Sequence, residues 1–102
     1  MVLIALRKEH RRYALRMCWT LERRGCSTRI ATDVQTLLLG ERELSPAVII
    51  LDAELSEPKT PDLLANLQDR PDGGKAKIVV LGASVDLEAE IRDRWPQIDI
   101  VV

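Results

Sequence analysis

Phenylalanine is absent from this 102-residue chain, and Tyr13, Trp19 and Trp95 are its only aromatic residues. That scarcity removes the stacking platforms on which many nucleic-acid surfaces rely. Histidine occurs once, as His10, so neither a histidine-based metal site nor a serine–histidine–aspartate triad can be assembled. Cys18 and Cys26 lack Cys-x-x-Cys spacing, and both read as reduced, structural thiols. No apolar run approaches the roughly 20 residues of a membrane helix, and the amino terminus has no basic segment followed by an apolar signal core. The expectation is a cytoplasmic protein with no membrane contact. Charge of one sign is lacking too: 15 Lys and Arg face 16 Asp and Glu, a formal net charge of −1. Direct binding to nucleic acid is therefore not expected.

What is present is a globular composition, 46% apolar and 30% charged, in a length suited to one domain spanning residues 1–102. The charge is unevenly placed. Residues 1–45 carry nine bases against five acids, and the remainder six bases against eleven acids. Such polarity can steer a partner or a second copy of the chain.

Five short runs rich in β-branched residues recur at Val2 to Leu6, Ser27 to Thr32, Ala47 to Asp52, Lys77 to Gly82 and Ile98 to Val102. The segments between them have helical period. Lys8 to Arg24 sets Ala14, Met17, Cys18 and Leu21 on one stripe, with Gly25 as a stop. A second helix follows Thr32 or Asp33 as a cap, holds Val34, Leu37, Leu38 and Leu44, and ends before Pro46. A third, short one is predicted around Asp62 to Asp69, with Thr60 as its cap and Pro61 in its first turn. It lies between a loop at Ser56 to Pro61 and another at Arg70 to Gly74. Ser84 can cap a fourth that runs to about Trp95, where Leu87, Ile91 and Trp95 share a stripe and Pro96 breaks the pattern.

Runs such as Val48 to Leu51 and Ile78 to Leu81 are continuously apolar, as strands covered on both faces require. Alternating strands and helices with right-handed crossovers predict an α/β, flavodoxin-like three-layer sandwich. Its five-stranded parallel sheet would have the order 2-1-3-4-5, with the final helix missing or truncated.

Asp52 closes the third run, so its carboxylate should emerge at the carboxyl edge of the sheet, where ligands bind in such folds. The first run leads into Arg7 and Lys8 rather than into acids. An ion pair between Asp52 and Arg7 is expected, and no metal site. Glu54 and Glu57 follow without the spacing of a calcium loop and read as solvated. His10 reads as decoration at the start of the first helix. Gly73-Gly74-Lys75 lacks the outer glycine and the Ser or Thr of a phosphate loop and reads as a turn.

The run Val48-Ile49-Ile50-Leu51-Asp52, the helix ending Leu21-Glu22-Arg23-Arg24-Gly25, and the strand reaching Ala31-Thr32-Asp33 together resemble the receiver domain of bacterial response regulators. The resemblance makes Asp52 the equivalent of the phosphoacceptor. It places the family's two magnesium-binding acids on Leu6 and Arg7, neither of which offers the oxygen such an ion needs. It also places the switch hydroxyl on Gly82, with Ser84 two residues on, and finds no counterpart of the family's lysine or last helix.

These departures imply a pseudo-receiver, not an enzyme, without cofactor or metal. Such a module would mediate protein–protein interaction or dimerisation in two-component signalling or a transcription regulator, with any output domain outside this segment. The alternative is a phosphorylatable receiver accepting a phosphoryl group on Asp52 at an atypical, magnesium-independent site, with Arg7 or Lys8 neutralising charge. Without its last helix, such a fold leaves apolar surface beside the first helix. Tyr13, Leu15 and Trp19 are expected to border that gap, which a protein partner, a second copy or a downstream segment would fill.

Overall fold

A computed structural model describes residues 1–55, 59–69 and 76–101. The predicted alternation is present. Strand β1 (Val2–Ala5) leads through a 3-10 turn (Lys8–His10) into α1 (Arg11–Arg23), followed by β2 (Thr28–Ala31), α2 (Val34–Leu44) and β3 (Val48–Asp52). Then come α3 (Thr60–Gln68), β4 (Lys77–Leu81), α4 (Val85–Arg94) and β5 (Asp99–Val101). All four strand pairs are parallel, in the order β2-β1-β3-β4-β5. The fold is thus the flavodoxin-like sandwich read from the sequence.

Local chemistry explains most element ends. Gly25 stops α1 at φ +88°, where a side chain would be strained. The Asp33 carboxylate accepts from the Thr36 N–H at 2.7 Å and the Ser84 hydroxyl from the Leu87 N–H at 3.2 Å, so both are N-caps. Thr60 is not the cap expected of it. It lies inside the first turn of α3, and its buried hydroxyl donates to the Ala53 carbonyl at 2.6 Å, tying the helix to the end of β3. Of the loop expected at Ser56 to Pro61, Thr60 and Pro61 instead begin α3, and residues 56–58, Glu57 among them, lie outside the described residues, as do the loop expected at Arg70 to Gly74, the Gly73-Gly74-Lys75 turn and Val102.

The two sheet faces differ. Helices α2, α3 and α4 cover one, sealing Leu3, Ile49, Leu51, Ile78 and Val80 against Leu37, Leu64 and Ile91. The other carries α1, whose Ala14, Met17, Cys18 and Leu21 pack on Val2, Ile4 and Leu6. On that face Val48 and Ile50 of β3 and Val79 and Leu81 of β4 stay half-buried, and Val101 of β5 is exposed. Both strands are apolar on both faces, yet among the described residues one face is covered only over the β1 side. This is the gap expected from the sequence.

Candidate functional site at the carboxyl edge of the sheet

Asp52 is the last residue of β3, paired with Leu81 and only 5% exposed. The expected ion pair is formed: Arg7 Nε donates to Asp52 Oδ2 at 3.1 Å, and the Arg7 backbone N–H reaches the same oxygen at 3.3 Å. Oδ1 accepts from the Glu54 N–H at 2.9 Å. The other end of the guanidinium is held as well, with Nη2 2.6 Å from Glu54 Oε2. One arginine thus bridges two carboxylates, and a planar fork of donors is suited to that.

The backbone explains the placement. Arg7 leaves β1 still extended, at φ −59° and ψ 155°, and the 3-10 turn then bends the chain back, closed by the His10 N–H on the Arg7 carbonyl at 2.9 Å. In a 3-10 turn residues three apart eclipse one another, so His10 stands over Arg7. Its Nε2 lies 3.3 Å from Arg7 Nη2 and its Nδ1 3.4 Å from Asp52 Oδ2. A guanidinium can only donate, so Nε2 accepts and the Nδ1 proton faces the carboxylate.

His10 and Glu54 are the site residues that the sequence reading missed. Neither sits in a recognisable motif. Only the turn after β1 and the tight bend after β3, which returns the Leu55 N–H to the Asp52 carbonyl at 3.0 Å, bring them to Asp52.

Burial pushes the Asp52 carboxyl up, but the N–H groups of Glu54 and Arg7, then the Arg7 side chain by hydrogen bond and charge, outweigh it and hold the carboxyl below its ordinary value. The hydrogen bond to Asp52 in turn raises Arg7. A lowered folded-state value stabilises the fold fully above the unfolded carboxyl value of about 4, and that contribution is lost as pH falls through the depressed one. Stability measured by urea unfolding between pH 6 and 2 should therefore fall on the acid side of about pH 4. Asp52→Asn should flatten part of that fall. An unaltered slope in this variant would remove Asp52 from the acid response.

The other sequence candidates are distributed around this centre. Leu6 is buried in the apolar layer under α1. Gly82 lies just after β4 at φ +73°, a conformation that side chains rarely adopt, so the backbone itself accounts for glycine there. Ser84 is committed to capping α4.

Tyr13, Leu15 and Trp19 are all exposed, at 65%, 50% and 62%, and Tyr13 and Leu15 line one hollow together with Arg12 and Arg16. A cavity of about 640 Å³ lies between α1 and the open strands, floored by Leu6, Ile50 and Leu81 and rimmed by His10 of the 3-10 turn and by Tyr13 and Arg16 of α1. Tyr13 belongs to it, edge-on to His10 at 6.1 Å between ring centroids. Leu15 and Trp19 do not line it. At about 100° per residue, Leu15 is roughly 200° round the helix from Tyr13, and Trp19 follows Leu15 with the Arg23 guanidinium 4.7 Å from its ring centroid.

Among the described residues no group of three His, Cys, Asp or Glu side chains is placed to hold a metal ion. A divalent cation at Asp52 Oδ2 would also meet the Arg7 guanidinium on the same oxygen. The residues do not fit the magnesium site that the resemblance would otherwise bring. None of the described helices is long and apolar enough to cross a membrane.

No family model matches the chain, and no curated protein does. Solved structures do. The N-terminal domain of a response regulator receiver protein from Methanoculleus marisnigri JR1 superposes with a TM-score of 0.77 over 99% of this chain and 80% of that one, at 14% identity. The fold is that of a receiver domain. A second receiver-fold structure is the signal receiver domain of the DNA binding response regulator protein (merR) from Colwellia psychrerythraea 34H. It matches with a TM-score of 0.72 over 90% of this chain and 76% of that one, at 13% identity. At such identity the receiver fold fixes the scaffold, and the chemistry at Asp52 has to be read from the side chains around it.

Proposed function

We propose that this chain is a non-catalytic, pseudo-receiver module that acts through protein contacts in a signal-transduction or transcription regulator. The observation that carries this reading is the guanidinium of Arg7 on Asp52 Oδ2 at 3.1 Å. A nucleophilic carboxylate needs a free oxygen and, for phosphoryl transfer, a cation that spans it and the incoming phosphoryl oxygens. In this chain each Asp52 oxygen accepts at least one hydrogen bond, and the cation beside it is covalently part of the protein. Its second arm is spent on Glu54. A site built this way has one state, so any information must pass through surfaces rather than through a phosphorylation switch. The partner would be another protein or a second copy, and an output domain would lie outside this segment.

The test is incubation with acetyl phosphate and Mg²⁺ followed by intact-mass measurement. The expected spectrum shows the unmodified mass alone. An added phosphoryl group that disappears in Asp52→Asn would establish the alternative, a phosphorylatable receiver, and its persistence when EDTA replaces Mg²⁺ would make the site magnesium-independent.

A further inference from the structure

Ala14 is the buried residue of α1, and on the opposite side the helix presents Arg16, Trp19 and Arg23, each about 40° or less from the direction pointing straight away from the sheet. All three are exposed, and the Arg23 guanidinium is held on this ridge 4.7 Å from the Trp19 ring centroid. The same construction on α4 starts from the buried Ile91 and gives Asp86, Ala89 and Asp93, again all exposed. Among the described residues Arg16, Arg23, Asp86 and Asp93 enter no ion pair. The other charges of α4 pair along the helix, Glu88 with Arg92 at 3.1 Å and Glu90 with Arg94 at 3.8 Å.

The two ridges are complementary in charge, spacing and bulk. Each sets its unpaired charges seven residues apart, about 10.5 Å along the axis, with an uncharged residue between them. With the helices side by side and running the same way, Arg16 faces Asp86, Arg23 faces Asp93, and the Trp19 indole falls on the small Ala89. With one helix reversed, the two arginines still meet the two aspartates. Leu15 and Val85, 50% and 85% exposed, add apolar surface beside each ridge. Helix α1 covers one face of the sheet and α4 the other, so a single chain cannot close this contact on itself.

We infer that the α1 ridge of one copy docks on the α4 ridge of another, so that copies of this chain stack head to tail. This rests on the reading that the domain works through protein contacts, and it names the partner. A two-fold pair through α1 alone would set arginine against arginine, and like charges across an interface cost affinity. In the head-to-tail contact each added copy leaves one ridge of each kind open on the far sides of the stack, so assembly runs past the dimer. The excess of bases in residues 1–45 and of acids in the remainder steers the two unlike faces together. A different acidic protein would satisfy α1 but leave the matching spacing on α4 without a use. Two short helical ridges bury less than the roughly 1,200 Å² of a stable interface, so the stack is weak and depends on concentration.

Sedimentation velocity of the 102-residue chain from about 10 μM to about 1 mM covers the range of such a contact. The mean mass should climb past that of a dimer and fall back when salt is added. Arg16→Ala combined with Arg23→Ala, and separately Asp86→Asn combined with Asp93→Asn, change exposed positions only and should each give a monomer. Mixed, the two variants own one intact ridge of each kind and should stop at a 1:1 pair. Trp19→Ala should weaken the stack about tenfold, and it decides where a double variant fails to fold. A monomer throughout, which would leave the ridges to a different protein, overturns the inference. So does a wild-type dimer that grows no further, association that survives in both double variants, or a mixture that does not pair. A longer form of the protein that stays monomeric where the 102-residue chain stacks would show its further residues covering a ridge, and it overturns the inference too. Failure to stack in a sample that takes up no phosphoryl group refutes this inference alone, whereas an adduct lost in Asp52→Asn refutes the reading beneath it.

Discussion

Arg7→Asp should lower the melting temperature by roughly 10 °C or more, and millimolar Mg²⁺ should then restore several of those degrees while leaving the wild-type chain unchanged. The first half follows from the Asp52 carboxylate, 5% exposed and now facing another carboxylate instead of a guanidinium. Two acids in one site cannot both ionise without cost, so one is pushed towards its neutral form and the hydrogen-bonded arrangement is strained. The second half follows from the donors that remain. Asp52, the new carboxylate and Glu54, released from its 2.6 Å contact with Arg7, would present three oxygens at the carboxyl edge, the ligand type that a hard divalent cation requires. Differential scanning fluorimetry with and without Mg²⁺ reads both halves. If the wild-type chain gains as much from Mg²⁺ as the variant does, the guanidinium is not excluding the ion and the closed-site reading fails. Arg7→Lys is the informative control. A lysine keeps the charge but cannot hold Asp52 and Glu54 with a planar fork, so it should fall between the two.

Much of this site could be read from the order of residue types alone. An apolar strand that ends in an acid, and a first strand that ends in a base, meet wherever β1 and β3 are adjacent and parallel. The pairing of Ala5 with Leu51 brings them together. The fold was legible for the same reason. Continuous apolar runs, a glycine after α1, and Asp33 and Ser84 as caps are local features whose meaning does not depend on distant contacts. His10 and Glu54 were not legible, because what recruits them is a turn whose type the sequence leaves open. The segment from Lys8 looked like uninterrupted helix, and only the 3-10 geometry at its start aims His10 at Asp52. Thr60 misled differently: a hydroxyl near a helix start suits a cap, but here a buried carbonyl competes for it and wins.

Trp95→Ala should cost about 3–5 kcal/mol, a large part of the roughly 5–15 kcal/mol that holds a domain of this size together. Trp95 is 2% exposed at the end of α4, and its neighbours explain why the loss would spread. The indole N–H donates to Asp69 Oδ1 at 2.9 Å at the end of α3, the Arg94 guanidinium lies 4.2 Å from the ring centroid, and the Trp95 carbonyl accepts from the Ile98 N–H at 3.0 Å. The ring thus joins α3 and α4 and sets the chain's entry into β5, a three-residue edge strand hydrogen-bonded only to β4. Removing it leaves a cavity and an acceptor without its donor, while Trp95→Phe keeps most of the volume and isolates the hydrogen bond. Trp19→Ala, at an exposed position, should change stability by no more than about 0.5 kcal/mol. Denaturation followed by circular dichroism compares the three. A small effect of Trp95→Ala would mean that β5 is held by its ladder alone. A large effect would show that β5, at the edge of the sheet, is positioned by the packing of α3 and α4 on one face rather than by its hydrogen bonds to β4 alone.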